Sequence, residues 1–167
     1  MDCKMVRSAD KAKVGLLYII ASDEQNAVKV GFAENLEMRL ANLQTGNPAK
    51  LRIRFTHAAT RGAEETLHRF LKPYRIGREW YPDTWLIDSI YDELGYELVD
   101  RALEQSELTG SDYTECHGQQ FLTEADMRKV VPECVEAYQH WLDDGSPLSA
   151  DELILNELEL PTPPVQS

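Results

Sequence analysis

No run of eighteen apolar residues occurs in the 167-residue chain, which excludes a membrane-spanning helix of ordinary length. The start, Met1-Asp2-Cys3-Lys4-Met5-Val6-Arg7, lacks the apolar middle of a secretion signal, so the expectation is a cytoplasmic protein. Cysteine is scarce and odd in number: Cys3, Cys116 and Cys134 lie far apart and make no disulfide framework. Cys116-His117 with Cys134 and His140 follow no familiar zinc spacing and read as ordinary thiols and imidazoles. No internal repeat is visible. Positive charge is nearly missing from one half of the chain. Residues 83–167 hold three Lys/Arg against twenty Asp/Glu, whereas residues 1–82 hold fourteen against nine, within a net charge of −12. The acidic half is unsuited to gripping a polyanion. The basic half suits phosphate contact, because neutralising phosphates releases counterions.

What is present begins with Gly15-Leu16-Leu17-Tyr18-Ile19-Ile20, a polar turn over Ala21 to Asn26, and Ala27-Val28-Lys29-Val30-Gly31. Apolar, turn-forming and apolar runs in that order predict a hairpin. Asn35 then stands as an N-cap before Leu36, Leu40 and Leu43 at helical spacing, with Arg39 off that stripe. Leu51 to His57 alternates apolar and polar residues and predicts a third strand with one basic face, carrying Arg52 and Arg54. Ala63 to Lys72 reads as a helix stopped by Pro73, with Glu64 and His68 one turn apart. Tyr74 to Tyr81 reads as a loop, and Asp83 to about Gln105 as a helix despite Gly95.

The fold class expected is α/β of the α+β kind: a small three-stranded sheet flanked by helices, followed by an acidic helical extension. The boundaries are a flexible arm over 1–13, one domain over 14–105, a linker over 106–120, a helical extension over 121–145, and an acidic, Pro-containing tail over 146–167. Pro132 lies inside the apolar stripe of the last helix and predicts a kink or break there.

Tyr18, Gly31 and Arg39, together with Lys29-Val30-Gly31, Gln44-Thr45-Gly46-Asn47, Leu67-His68 and Glu79-Trp80-Tyr81 in this order, resemble the GIY-YIG endonuclease superfamily. The narrower resemblance is to its phage-orf and meiotically-up-regulated branch, which carries Lys-Ile-Gly in place of Tyr-Ile-Gly. It covers the first half of the chain. The resemblance implies a metal-dependent DNA endonuclease in which Tyr18 activates or orients water, as a phenolate if a cation such as Lys29 is at hand. It implies that Arg39 holds the scissile phosphate, that Glu64 rather than Glu65 holds one Mg²⁺ or Mn²⁺, and that His68 serves as second partner or proton donor. Glu79 would approach the same pocket.

Each residue also has a structural reading. Tyr18 suits a core with its hydroxyl at the rim, Glu64 and Glu65 favour a helix N-terminus, and Gly31 suits the turn from strand to helix. Lys29, Arg39, Arg52, Arg54 and Arg69 are the candidate nucleic-acid contacts. The alternative function is a non-cleaving nucleic-acid-binding module. The charge split adds self-inhibition by the acidic half, or a protein partner for it, as further readings; DNA and RNA are not told apart.

Overall fold

The computed structural model of the protein describes residues 8–144. One helical turn, α1 (Ser8–Lys11), leads into strands β1 (Val14–Ser22) and β2 (Ala27–Ala33), followed by helix α2 (Leu36–Thr45). Strand β3 (Leu51–Thr60), helix α3 (Arg61–Leu71), a single 3₁₀ turn (Lys72–Tyr74) and strand β4 (Trp80–Pro82) come next. The chain ends in helices α4 (Trp85–Thr109), α5 (Tyr113–Gly118) and α6 (Glu124–Asp144). The expectations for residues 1–7 of the arm and for the 146–167 tail lie outside the described residues.

The sheet is antiparallel with strand order β3-β1-β2-β4. It therefore has four strands, not three. Residues 80–82 pair with Lys29, Val28 and Ala27, and three residues are too few to show alternation in sequence, so this edge was read as loop.

Every buried strand position belongs to one of two layers, because side chains alternate across a sheet. Tyr18, Ile20, Ala33 and Leu51 meet Leu36, Leu40 and Leu43 of α2 on one face. Leu17, Ile19, Val28 and Val30 face α3, α4 and α6 on the other. Those four strand residues are fully buried, and each such burial stabilises by roughly 1.5–3 kcal/mol.

Gln44 fixes the joint between α2 and β3. Its side-chain amide donates to the carbonyl oxygens of Asn47 and Ala49 and accepts from the amide of Leu51, so the Gln-Thr-Gly-Asn segment is a structural stitch.

The acidic half shares the core with the sheet. Leu122 forms an isolated parallel bridge with Ala59 through hydrogen bonds of 2.9 Å to Thr60 and Ala58, and Met127, Val131, Cys134 and Tyr138 bury against the same cluster as the strands. Helix α6 starts where Asp126 Oδ2 accepts from both the amide of Thr123 at 2.8 Å and its hydroxyl at 3.2 Å, which satisfies one of the free donors at the helix start. Of the kink or break expected at Pro132, the break is absent, since α6 runs through it; the proline costs the Arg128 carbonyl its usual donor without dividing the helix. Residues 106–120, read as a linker, hold the last turn of α4, a left-handed Gly110 and α5. Helix α4 runs on over Gly95, where an added Cβ would lie 3.2 Å from His57 Cε1.

Candidate functional site

Tyr18 and Gly31 are direct partners across β1 and β2, and their contact organises one edge of the sheet. A Cβ on Gly31 would fall 2.4 Å from the Tyr18 hydroxyl. The missing side chain is therefore what lets the phenol lie across β2. Gly31 does not serve the turn into α2. The Tyr18 hydroxyl accepts from Arg39 Nε at 3.3 Å, and both residues line a cavity of about 460 Å³ with Phe32, Arg61, Glu64 and Glu79.

Behind this cavity Glu64, on the first turn of α3, is buried. His68 lies one turn later, its Nε2 donating to Glu64 Oε1 at 3.0 Å. A carboxylate only accepts, so Nε2 carries the proton and Nδ1 is left to accept the Tyr81 hydroxyl at 2.6 Å. Burial pushes the Tyr81 phenol up to about 12, which keeps it a donor. Glu79, just before β4, is held by Lys29 Nζ at 2.5 Å. Burial pushes the Glu79 carboxyl up, but the hydrogen bond and charge of Lys29, then His68 and Arg39, outweigh it and bring it below its ordinary value. Oxygens of Glu64 and Glu79 and a nitrogen of His68 lie within 4.8 Å of one another, a group that could hold a metal ion.

The phenol of Tyr18 is pushed up by burial, against the hydrogen bond and charge of Arg39. Raised in this way it is a neutral hydrogen-bonding group; Lys29 is paired with Glu79, and the cation on the hydroxyl is Arg39. Glu65, by contrast with Glu64, faces Lys11 at 3.9 Å.

Tyr18, Lys29, Gly31, Arg39, Glu64 and His68 are brought together. Arg52, Arg54 and Arg69 are not. Arg52 is paired with Asp23, and Arg54 with Asp83 and Asp88, so the basic face of β3 is neutralised by carboxylates that the strand pattern does not reveal. Arg69 is exposed on α3, away from the cavity lining. Arg61 and Tyr81 were missed. Arg61 stacks its guanidinium 4.9 Å from the Phe32 ring centroid and forms no ion pair among the described residues. Its position three residues before Glu64 on one helix face was the available signal.

A T5orf172 domain model matches residues 15–105, more than half of the chain. The chain belongs to the T5orf172 domain family. That family is related to phage-orf nucleases, and the match spans every cavity residue from Tyr18 to Glu79 and α4 as far as Gln105. No curated protein and no solved structure matches the chain. No helix among the described residues is long and apolar enough to cross a membrane.

Proposed function

We propose that this T5orf172 domain is a metal-dependent DNA endonuclease with a GIY-YIG-type site. The observation that carries the reading is the convergence on one cavity of a phenol, two guanidinium groups without carboxylate partners among the described residues, and a carboxylate–imidazole–carboxylate group. Hydrolysis of a phosphodiester needs an oriented water, charge stabilisation on the non-bridging oxygens and a way for the leaving oxygen to take a proton.

Arg39 suits the scissile phosphate, since its fork can address two oxygens while Nε stays on Tyr18. The Tyr18 hydroxyl, neutral and fixed over Gly31, orients the attacking water beside that phosphate. Arg61 adds a second positive group on the same wall. Glu64 and Glu79 would supply the oxygen donors for an ion, and oxygen donors suit Mg²⁺ and Mn²⁺ alike. Such an ion, when bound, lowers the pKa of a coordinated water and neutralises charge on the phosphate. His68, held by Tyr81, fixes the orientation of Glu64.

The alternative, a non-cleaving nucleic-acid-binding module, has one observation in its favour. Lys29 already neutralises Glu79, which leaves Glu64 as the one cavity carboxylate of the three-residue group without a lysine.

The deciding test is nicking of supercoiled, linear and branched DNA with Mg²⁺, Mn²⁺ or EDTA. Metal-dependent cleavage is expected, slowed by about 10²-fold or more in Tyr18→Phe, Arg39→Ala and Glu64→Ala. Retained DNA binding without cleavage by the parent would move the reading to the binding module.

A further inference from the structure

Between Glu65 and Glu79 the sequence has no acidic residue and four basic ones, Arg69, Lys72, Arg75 and Arg78. Elsewhere in the fold cations are commonly matched: Arg52, Arg54, Arg101, Arg128, Lys29 and Lys129 all have carboxylate partners. Lys72, Arg75 and Arg78 are exposed, and none forms an ion pair or side-chain hydrogen bond with a described residue. At the tip between the two arginines stands Ile76, 62% exposed, an aliphatic side chain with no core to enter.

This segment is held in place at both ends. Leu71 is fully buried, and Tyr74 packs edge-on against Tyr138 while its hydroxyl donates to Gln139 at 2.9 Å. At the other end Ile76 N donates to Trp80 O and Trp80 N to Gly77 O, each at 2.9 Å, and the chain runs directly into Glu79 at the cavity. The acidic helix α6 thus serves as the anchor of a basic loop.

We propose that the loop Lys72–Arg78 is a duplex-DNA grip, in which Arg75 and Arg78 contact backbone phosphates and Ile76 enters the minor groove as an apolar wedge. This deepens the nuclease reading and rests on it. Arginines beside an aliphatic tip are the equipment of proteins that unstack a base step and bend the duplex. A polyanion gripped here continues toward the cavity, because Glu79 follows Arg78 without a break. A preformed loop also loses little conformational freedom on binding.

The test uses the full chain in EDTA, with a 30-base-pair duplex (roughly three helical turns) across a salt series and end-to-end energy transfer as the measure of bending. Arg75→Ala/Arg78→Ala is expected to weaken binding about 10-fold and to flatten the slope of log K against log salt by about 1.8, two phosphates at about 0.9 each. Arg75→Lys/Arg78→Lys should keep the slope. Ile76→Ser should keep the slope and lose the bend. Because these side chains are exposed, thermal melting should match the parent in all three variants. A parental slope in the double alanine variant, or a parental bend in Ile76→Ser, overturns the grip while leaving the nuclease reading intact. A parent that binds no duplex at any salt concentration overturns both.

Discussion

Arg39 and Arg54 are both arginines of the basic first half, yet they sit in opposite electrostatic settings. Arg54, on β3, is claimed by Asp83 and Asp88, two carboxylates from the segment that follows β4. Arg39, on α2, has among the described residues only the Tyr18 hydroxyl as side-chain partner, and this does not cancel its charge. A count of basic residues along the chain therefore overstates the surface offered to phosphate. Among the described residues, Arg39 and Arg61 at the cavity and Lys72, Arg75 and Arg78 on the loop form no ion pair with a carboxylate, and the acidic half neutralises Arg54. An acidic chain can therefore present a local basic surface.

The largest expected effect that bears on this contrast comes from removing everything after residue 120. Met127 and Val131 are fully buried and pack with α3, so their loss removes roughly 1.5–3 kcal/mol each and exposes the helix that carries Glu64. A chain ending at residue 120 is expected to lose cooperative melting; a sharp transition near that of the parent would show the acidic half to be dispensable to the fold. The truncation for that reason cannot report on self-inhibition.

Gly31→Ala should come next. Its Cβ would meet the Tyr18 hydroxyl at 2.4 Å, and overpacking of this kind costs about 1–3 kcal/mol. Denaturant titration should register that loss, with the Tyr18–Arg39 contact broken even where the fold survives.

Arg54→Ala is expected to separate stability from binding. Losing it leaves Asp83 and Asp88 without their cation, at a cost of about 1–3 kcal/mol for part-buried charged groups. DNA affinity and its salt slope should stay at parental values. A flattened slope would instead return Arg54 to the phosphate contacts and weaken the comparison with Arg39.

The smallest effect is a pH dependence away from the cavity. Burial pulls the His57 imidazole below its ordinary value, against the hydrogen bond its Nε2 donates to the Tyr91 carbonyl. A folded pKa below the unfolded one means that the unfolded chain binds more protons in the interval. The contribution is therefore complete above about pH 6.5 and is lost as pH falls through the folded value. Melting temperatures across this range should decline less steeply in His57→Gln than in the parent.

Much of the site was legible because its spacing is local to short elements. Glu64 and His68 are one helical turn apart, Tyr18 and Gly31 fall at matched hairpin positions, and the Asn35 cap fixes where α2 begins and hence which side Arg39 takes. The partners of β3 were not legible. Asp83 and Asp88 reach Arg54 from about thirty residues away, and Arg52 meets Asp23 across an equal separation, distances at which periodicity carries no information. The strand at 80–82 was hidden for a related reason, since three residues gain their identity from pairing with β2 alone.

Local sequence was enough for the succession β1, β2, α2, β3, α3 and α4 without β4, for the charge division between the halves, and for the set of residue types available for chemistry at a phosphate. Those follow from local periodicity, capping and composition. Only the tertiary structure decided that Lys29 is spent on Glu79, that Tyr18 lies over Gly31 as a neutral phenol, and that the acidic half is part of one core. Each of these rests on a contact between segments distant in the chain, where burial and charge are set by the neighbours that folding brings rather than by the residues alongside.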